Sequence, residues 1–153
     1  MSYLQEYEKW LSSGVLTAEE KAELEAIRGD DKEIESRFYG PLEFGTAGLR
    51  GTMAMGLHHM NLYVIRHATQ GFANVICAEG EEAKERGVAI CMDCRNHGME
   101  FARAAAEVCA ANGIKVRIFE ALRPTPELSF AVRHYGCQAG INVTASHNPK
   151  EYN

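Results

Sequence analysis

Proline is scarce in this chain, with 4 in 153 residues, and the 14 glycines follow no triplet period. With 46% of residues hydrophobic, that leaves no room for a disordered, collagen-like or coiled-coil reading, and describes a chain able to bury a core. Positive charge is also short: 16 Lys and Arg face 21 Asp and Glu, a net charge of −5, so the electrostatic footprint of a nucleic-acid binder is missing. Long apolar runs are absent. Stretches such as Val88–Met92 and Ile141–Ala145 fall far below the roughly 20 residues that span a bilayer, so no membrane partner is expected. The opening Met-Ser-Tyr-Leu-Gln-Glu has neither the basic start nor the apolar block of an export signal, which makes the cytoplasm the expected location. Five cysteines, an odd number, fit reduced thiols better than a disulfide framework.

What is present divides in two. In the first 44 residues, Leu4, Tyr7, Trp10 and Leu11 recur at helical spacing as packing residues, and Ser12, Ser13 and Gly14 close the run. Thr17-Ala18-Glu19-Glu20 then reads as a capping box opening a helix to about Arg28. Residues 1–44 are therefore expected to form a helical leader packed on a main domain at 45–153. From Gly45 onward strand-like and helical segments alternate, the pattern of an α/β domain with a largely parallel sheet. Leu49–Met55 is a weak first strand. Asn61 caps a helix with Val64, Ile65, Ala68, Phe72 and Val75 as its apolar stripe. Val88–Asp93, Lys115–Phe119 and Gly140–Thr144 are the further strands, with helices near Glu100–Ala111 and, capped by Thr125, through Leu128 and Val132 to Gly136.

Two constellations carry candidate chemistry. Thr144-Ala145-Ser146-His147-Asn148-Pro149 leaves the carboxyl end of the last strand, where open α/β sheets collect their ligands. It sets a hydroxyl on a tight turn beside an imidazole and an amide, before a proline that fixes φ. The plain alternative is a polar turn. A hydrolase triad is disfavoured, because Gly-x-Ser-x-Gly is missing and His147 is Ser146's own neighbour. A rigidly held hydroxyl can instead accept and return a phosphoryl group, a reaction governed by positioning and by surrounding positive charge. The second constellation, Gly45-Thr46-Ala47-Gly48-Leu49-Arg50-Gly51, ends in a guanidinium suited to phosphate and lacks the Gly-Lys-Ser/Thr ending of a Walker loop. By itself it also reads as a structural glycine turn.

These two segments, with Met60-Asn61, Ala68-Thr69-Gln70-Gly71, Asp93-x-Arg95, Ala110–Val116 and Pro124-Thr125-Pro126 in order between them, resemble the N-terminal domain of the α-D-phosphohexomutases, the phosphoglucomutase/phosphomannomutase family. The glycine turn is most similar to the phosphoglucomutase and phosphopentomutase branch. The resemblance implies a three-layer α/β/α domain with a mostly parallel, mixed sheet of about four strands behind the helical leader. It implies that Ser146 is the phosphorylated serine, that its phosphate oxygen helps hold Mg²⁺, and that Arg50 and Asn148 lie on the phosphate side of the site. His147 either assists proton transfer or holds the loop. The implied reaction interconverts hexose 1-phosphate and 6-phosphate through a bisphosphorylated sugar such as glucose 1,6-bisphosphate, which also serves as activator.

The family's metal loop, sugar-recognition loop and C-terminal phosphate site are expected beyond Asn153, so the phosphosugar substrate needs later domains of the same protein and this stretch alone is expected to be inactive. The alternative is a non-catalytic sugar-phosphate-binding or assembly module of the same fold. Cys91-Met92-Asp93-Cys94 lacks a second cysteine pair and reads as buried strand cysteines, and His58-His59 reads as exposed loop. Asp93 and Arg95 are either a simple ion pair or support for the Ser146 edge, the second being favoured by their position. Glu79–Arg86 reads as a solvated helix end and loop.

Overall fold

The computed structural model describes residues 2–46 and 48–153. They fall into two compact units, one reaching to Val64 and including Tyr152, the other running from Ile65 to Glu151 and including Asn153.

The first unit opens with three short helices, α1 (Tyr3–Leu11), α2 (Ala18–Ala26) and α3 (Asp31–Phe38). The capping box predicted at Thr17 forms: Glu20 N donates to Thr17 Oγ1 at 3.2 Å and Thr17 N to Glu20 Oε2 at 2.7 Å. Ser2 and Gln5 build a second one at the start of α1. α3 is an addition to the helices expected, although its signals are local: Asp30 accepts from Glu33 N, and the i, i+4 pair Ile34 and Phe38 buries. The core gathers Tyr7, Leu16, Leu24, Ile34, Phe38 and Met55, with Trp10, Leu11 and Tyr63 packed around it. Leu4, expected to pack, stays 42% exposed. Tyr7 donates its buried hydroxyl to Leu24 O at 3.0 Å, which keeps the phenol from being an unpaired group in the core.

The rest of this unit is loop held by side chains. Leu49–Met55 forms no strand; it is limited to isolated bridges, Thr52 with Tyr152 and Met53 with Met60. A strand needs a continuous ladder partner, and this segment has one residue of pairing at a time. Polar side chains take over. Arg37 donates to Glu33, to Glu23 Oε1 at 2.7 Å and to Met55 O, while Glu23 Oε1 also accepts from Met55 N at 2.8 Å. Asn61 donates to Ala54 O, Gly56 O and His59 O, and its Oδ1 accepts from Tyr63 N and Val64 N. It thus caps α4 (Leu62–Ala78), as predicted, and ties down the preceding loop with the same amide. His58 and His59 are half-buried, not exposed: Tyr39 Oη pairs with His58 Nε2, and both Nδ1 atoms are buried without a hydrogen-bond partner. Burial, and then the nearby Arg37 charge, hold the His59 imidazole below its ordinary pKa.

The second unit continues α4 and adds α5 (Glu81–Arg86), β1 (Val88–Met92), α6 (Gly98–Ala111), β2 (Val116–Ile118), α7 (Thr125–His134) and β3 (Ala139–Val143). Among the described residues the sheet has three strands in the order β2-β1-β3, all parallel, with Val88 in register with Val116 and Ala139. The crossovers β1-α6-β2 and β2-α7-β3 run in opposite directions across the sheet, so their right-handed sense puts α6 and α7 on opposite faces. β1 is therefore covered on both sides and all five of its residues are buried. That explains an unbroken apolar run rather than alternation. Ala89 and Cys91 meet Leu128 and Cys137, with Phe119 and Val132 against them.

Three local expectations in this unit are corrected. The face that α4 buries is Thr69, Ala73 and Ile76, rotated from the predicted stripe, and Val75 is 62% exposed. Glu81–Arg86 is a helix, not loop, with Lys84 and Arg86 paired to Glu81 and Glu82 one turn earlier. Thr125 does not cap α7: it is the first helical residue, Pro124 holds the cap position, and the Thr125 hydroxyl accepts from Asn142 Nδ2 at 2.6 Å. All five cysteines are free thiols; Cys91 is buried in β1 as expected, whereas Cys94 lies past the end of the strand and is exposed. Cys91 donates to Asn142 Oδ1, and burial pushes its pKa up to about 11. Among the described residues no helix is long and apolar enough to cross a membrane.

Candidate active site

Because β1 and β3 are parallel neighbours, the segments that follow them leave the sheet at the same edge. After β1 comes Asp93-Cys94-Arg95; after β3 comes Thr144-Ala145-Ser146-His147-Asn148-Pro149. The ladder carries on for one more bond, Asp93 N to Val143 O at 3.2 Å, so the two segments start side by side.

The loop after β3 folds back on itself at once. Ala145 is buried, Asn148 N donates to Ala145 O at 3.0 Å, and Ser146 takes a left-handed conformation with φ 55°. Serine rarely adopts that geometry, and it needs surrounding bonds to stay there. Thr144 supplies one: its Oγ1 accepts from Ser146 N at 3.0 Å and donates to Asp93 Oδ2. The other Asp93 oxygen accepts from Arg95 N at 3.0 Å. The Arg95 guanidinium, only 12% exposed, donates from Nη1 to Pro149 O at 2.7 Å and from Nη2 to Ser146 O and Asn148 O at 2.9 and 2.6 Å. Its Nε lies 3.8 Å from Asp93 Oδ2. Asn153 adds a further tie, donating to Asn96 O at 2.8 Å.

The result is an exposed Ser146 hydroxyl on a braced loop, with His147 Nδ1 3.3 Å from its Oγ. A cavity of about 340 Å³ opens beside it, lined by Asp93, Cys94, Arg95, Asn96, Ser146, Asn148 and Lys150. Such an arrangement can offer an alcohol oxygen to an incoming electrophile, with an imidazole in reach of its proton and a lysine at the rim.

Ser146, His147 and Asn148 are thus brought together, as their adjacency requires. Arg50 belongs to the first unit, where it is half-buried. It follows a tight reversal in which Gly45 and Gly48 exchange backbone bonds at 3.0 and 3.2 Å; Gly48 has φ 100°, which a side chain would disfavour. Ala47 of the Gly45–Gly51 sequence lies outside the described residues. Sequence reasoning does not single out Thr144 or Lys150. Lys150 has a legible signal, as a cation directly after the loop; the part played by Thr144 depends on Asp93, 51 residues away.

Residues 41–153 match the family model described as phosphoglucomutase/phosphomannomutase, alpha/beta/alpha domain I. The chain belongs to the phosphoglucomutase/phosphomannomutase family. Within that family it is 39% identical to a phosphopentomutase of Mus musculus over 97% of this chain, and 42% identical to a phosphoglucomutase of Staphylococcus saprophyticus over 80% of it. A phosphomannomutase of Mycoplasma pneumoniae is 35% identical over 97%. The chain spans only 25%, 22% and 27% of the lengths of these three relatives. A solved structure from Thermus thermophilus, assigned as a phosphomannomutase, superposes with a TM-score of 0.65 at 34% identity, covering 74% of this chain and 24% of that one. The α/β/α domain I of this mutase family is therefore the fold at hand, and the braced serine loop is part of it.

Proposed function

We propose that this chain is the phosphoserine-bearing domain of a phosphosugar mutase, an isomerase that interconverts hexose 1-phosphate and 6-phosphate through a bisphosphorylated sugar. On this reading residues 45–153 are the working domain and residues 1–44 a helical leader, the protein is cytoplasmic, and the remaining walls of the site come from later domains. The observation that carries the reading is Ser146: exposed, left-handed, held through its backbone by Thr144 and Arg95, and with its Oγ beside His147.

The chemistry follows from that oxygen. When the serine is phosphorylated, a sugar hydroxyl attacks phosphorus, its O–P bond forms as the P–Oγ bond breaks, and the sugar's proton ends on Oγ. His147, 3.3 Å away, is placed to deliver that proton or to steady the loop. The second half-reaction reverses the exchange at the sugar's other phosphate, so the net change is isomerisation. Arg50 and Asn148 serve the phosphate in this proposal, and glucose 1,6-bisphosphate is both intermediate and activator.

Mg²⁺ is expected beside the Ser146 phosphate, but no three His, Cys, Asp or Glu side chains gather into a metal site among the described residues. Asp93, the carboxylate nearest to Ser146 in the cavity lining, is already engaged by Thr144 and Arg95. Magnesium is ordinarily held by one or two carboxylates with phosphate oxygens. These residues by themselves do not make that set.

Incubating the full-length protein that carries this domain with glucose 1,6-bisphosphate, followed by peptide mass analysis, should find one phosphoryl group on the Ser146 peptide. An unmodified Ser146, or a Ser146→Ala protein with undiminished mutase turnover, would overturn the proposal in favour of a non-catalytic sugar-phosphate-binding or assembly module.

A further inference from the structure

We propose that Arg95 is a positioning residue for Ser146: its guanidinium does not hold substrate but clamps the carbonyls of residues 146, 148 and 149, and so aims the serine oxygen. This rests on the reading of Ser146 as phosphoryl carrier. An arginine at the edge of a phosphate site would ordinarily be assigned to the phosphate itself. Here its two terminal nitrogens point into the loop backbone, at 2.6 to 2.9 Å from three carbonyl oxygens. The planar fork matters, because three acceptors spread over four residues are met at once by groups fixed in one plane.

The opposite side of the loop is held just as fully. Ser146 N donates to Thr144 Oγ1, and Thr144 donates to Asp93, whose other oxygen takes Arg95 N. The Ser146 N–H is thereby occupied by the scaffold, and its C=O by Arg95. Both backbone groups of the left-handed residue are tied, which fixes the direction of its side chain without any bond to Oγ from Asp93, Thr144 or Arg95. A lysine at position 95 keeps the charge but has a single nitrogen and cannot meet three carbonyls in this geometry.

The test uses the full-length mutase with Arg95→Lys, Arg95→Ala, Thr144→Val and Ser146→Ala. Arg95→Lys should lower kcat about 100-fold, the scale at which a misplacement near 1 Å is felt, with KM within a factor of about three. Guanidinium added to Arg95→Ala should recover part of the lost kcat, which a merely unfolded variant would not do. Thr144→Val, which frees the Ser146 N–H at nearly constant volume, should lower kcat about tenfold. Wild-type kcat in Arg95→Lys, or a rise in KM with kcat unchanged, overturns the positioning role while Ser146→Ala remains inactive. Full turnover by Ser146→Ala instead removes the reading beneath it, so the two failures are told apart. Should Arg95→Ala fail to fold, Thr144→Val decides, and an unchanged kcat there overturns the proposal.

Discussion

The two units of the chain reach order by different means. In the second, a parallel sheet with β1 buried on both faces supplies backbone ladders, and the side chains need only be apolar and of suitable size. In the first, past its three helices, loop replaces sheet, and individual polar side chains do what a ladder does elsewhere: Asn61 alone accounts for five bonds and Arg37 for three. The lesson is one of tolerance. A ladder distributes its stabilisation over many residues, whereas a hub concentrates it in one amide. Substitutions should therefore be felt in the sheet unit where backbones crowd, and in the helical unit where a single polar group is lost.

The sharpest probe of the sheet unit is Gly87→Ala. A Cβ there would sit 2.0 Å from Lys115 O at a φ of 69°, and neither the carbonyl nor the backbone conformation can yield cheaply. We expect a loss of about 4 kcal/mol in urea unfolding followed by circular dichroism; a loss below ~1 kcal/mol would show that the start of β1 is softer than its burial implies. In the first unit Asn61→Ala should cost about 3 kcal/mol, since it removes a helix cap and takes the amide from three carbonyls, that of Gly56 buried and those of Ala54 and His59 partly buried. Trp10, the single tryptophan, packs edge-on against Phe38 and Tyr63, so its fluorescence reports this unit by itself. An unchanged Trp10 transition would mean that the loop is held by something other than this amide.

The smallest effect is in pH. Because the folded unit depresses the His59 pKa below 6.5, the unfolded chain binds the proton more readily. The contribution is fully present above about pH 6.5 and is lost as pH falls through the lower, folded value. The Trp10 transition should therefore move to lower urea between neutral and mildly acidic pH, and a His59→Gln variant should lose that part of the shift. A transition that strengthens on acidification would contradict the burial of this imidazole.

How much of this can be read from the residues follows the same division. Alternating strand and helix periods locate β1, β2 and β3 to within a residue or so, and Thr17 and Asn61 announce their helices, because caps and periodicity are local signals. The Ser146 loop is legible for the same reason: it is contiguous. Leu49–Met55 reads as a strand and is not one, because its apolar content is real but among the described residues it meets its partners one residue at a time, a fact no window of sequence contains. The surroundings of His58 and His59 include Tyr39 and the Arg37 charge, some twenty residues earlier. The pattern sets Arg95 at the right edge, yet its partners are main-chain oxygens more than fifty residues away, and carbonyls leave no trace in composition.

The left-handed turn at residue 146 also sets heat tolerance against chemistry. Any residue with a Cβ gives up about 1 kcal/mol to sit there, a penalty that glycine escapes. Breeding this domain for thermal endurance alone would accordingly favour Ser146→Gly, and the hardier protein that emerged would have surrendered the hydroxyl of that exposed residue.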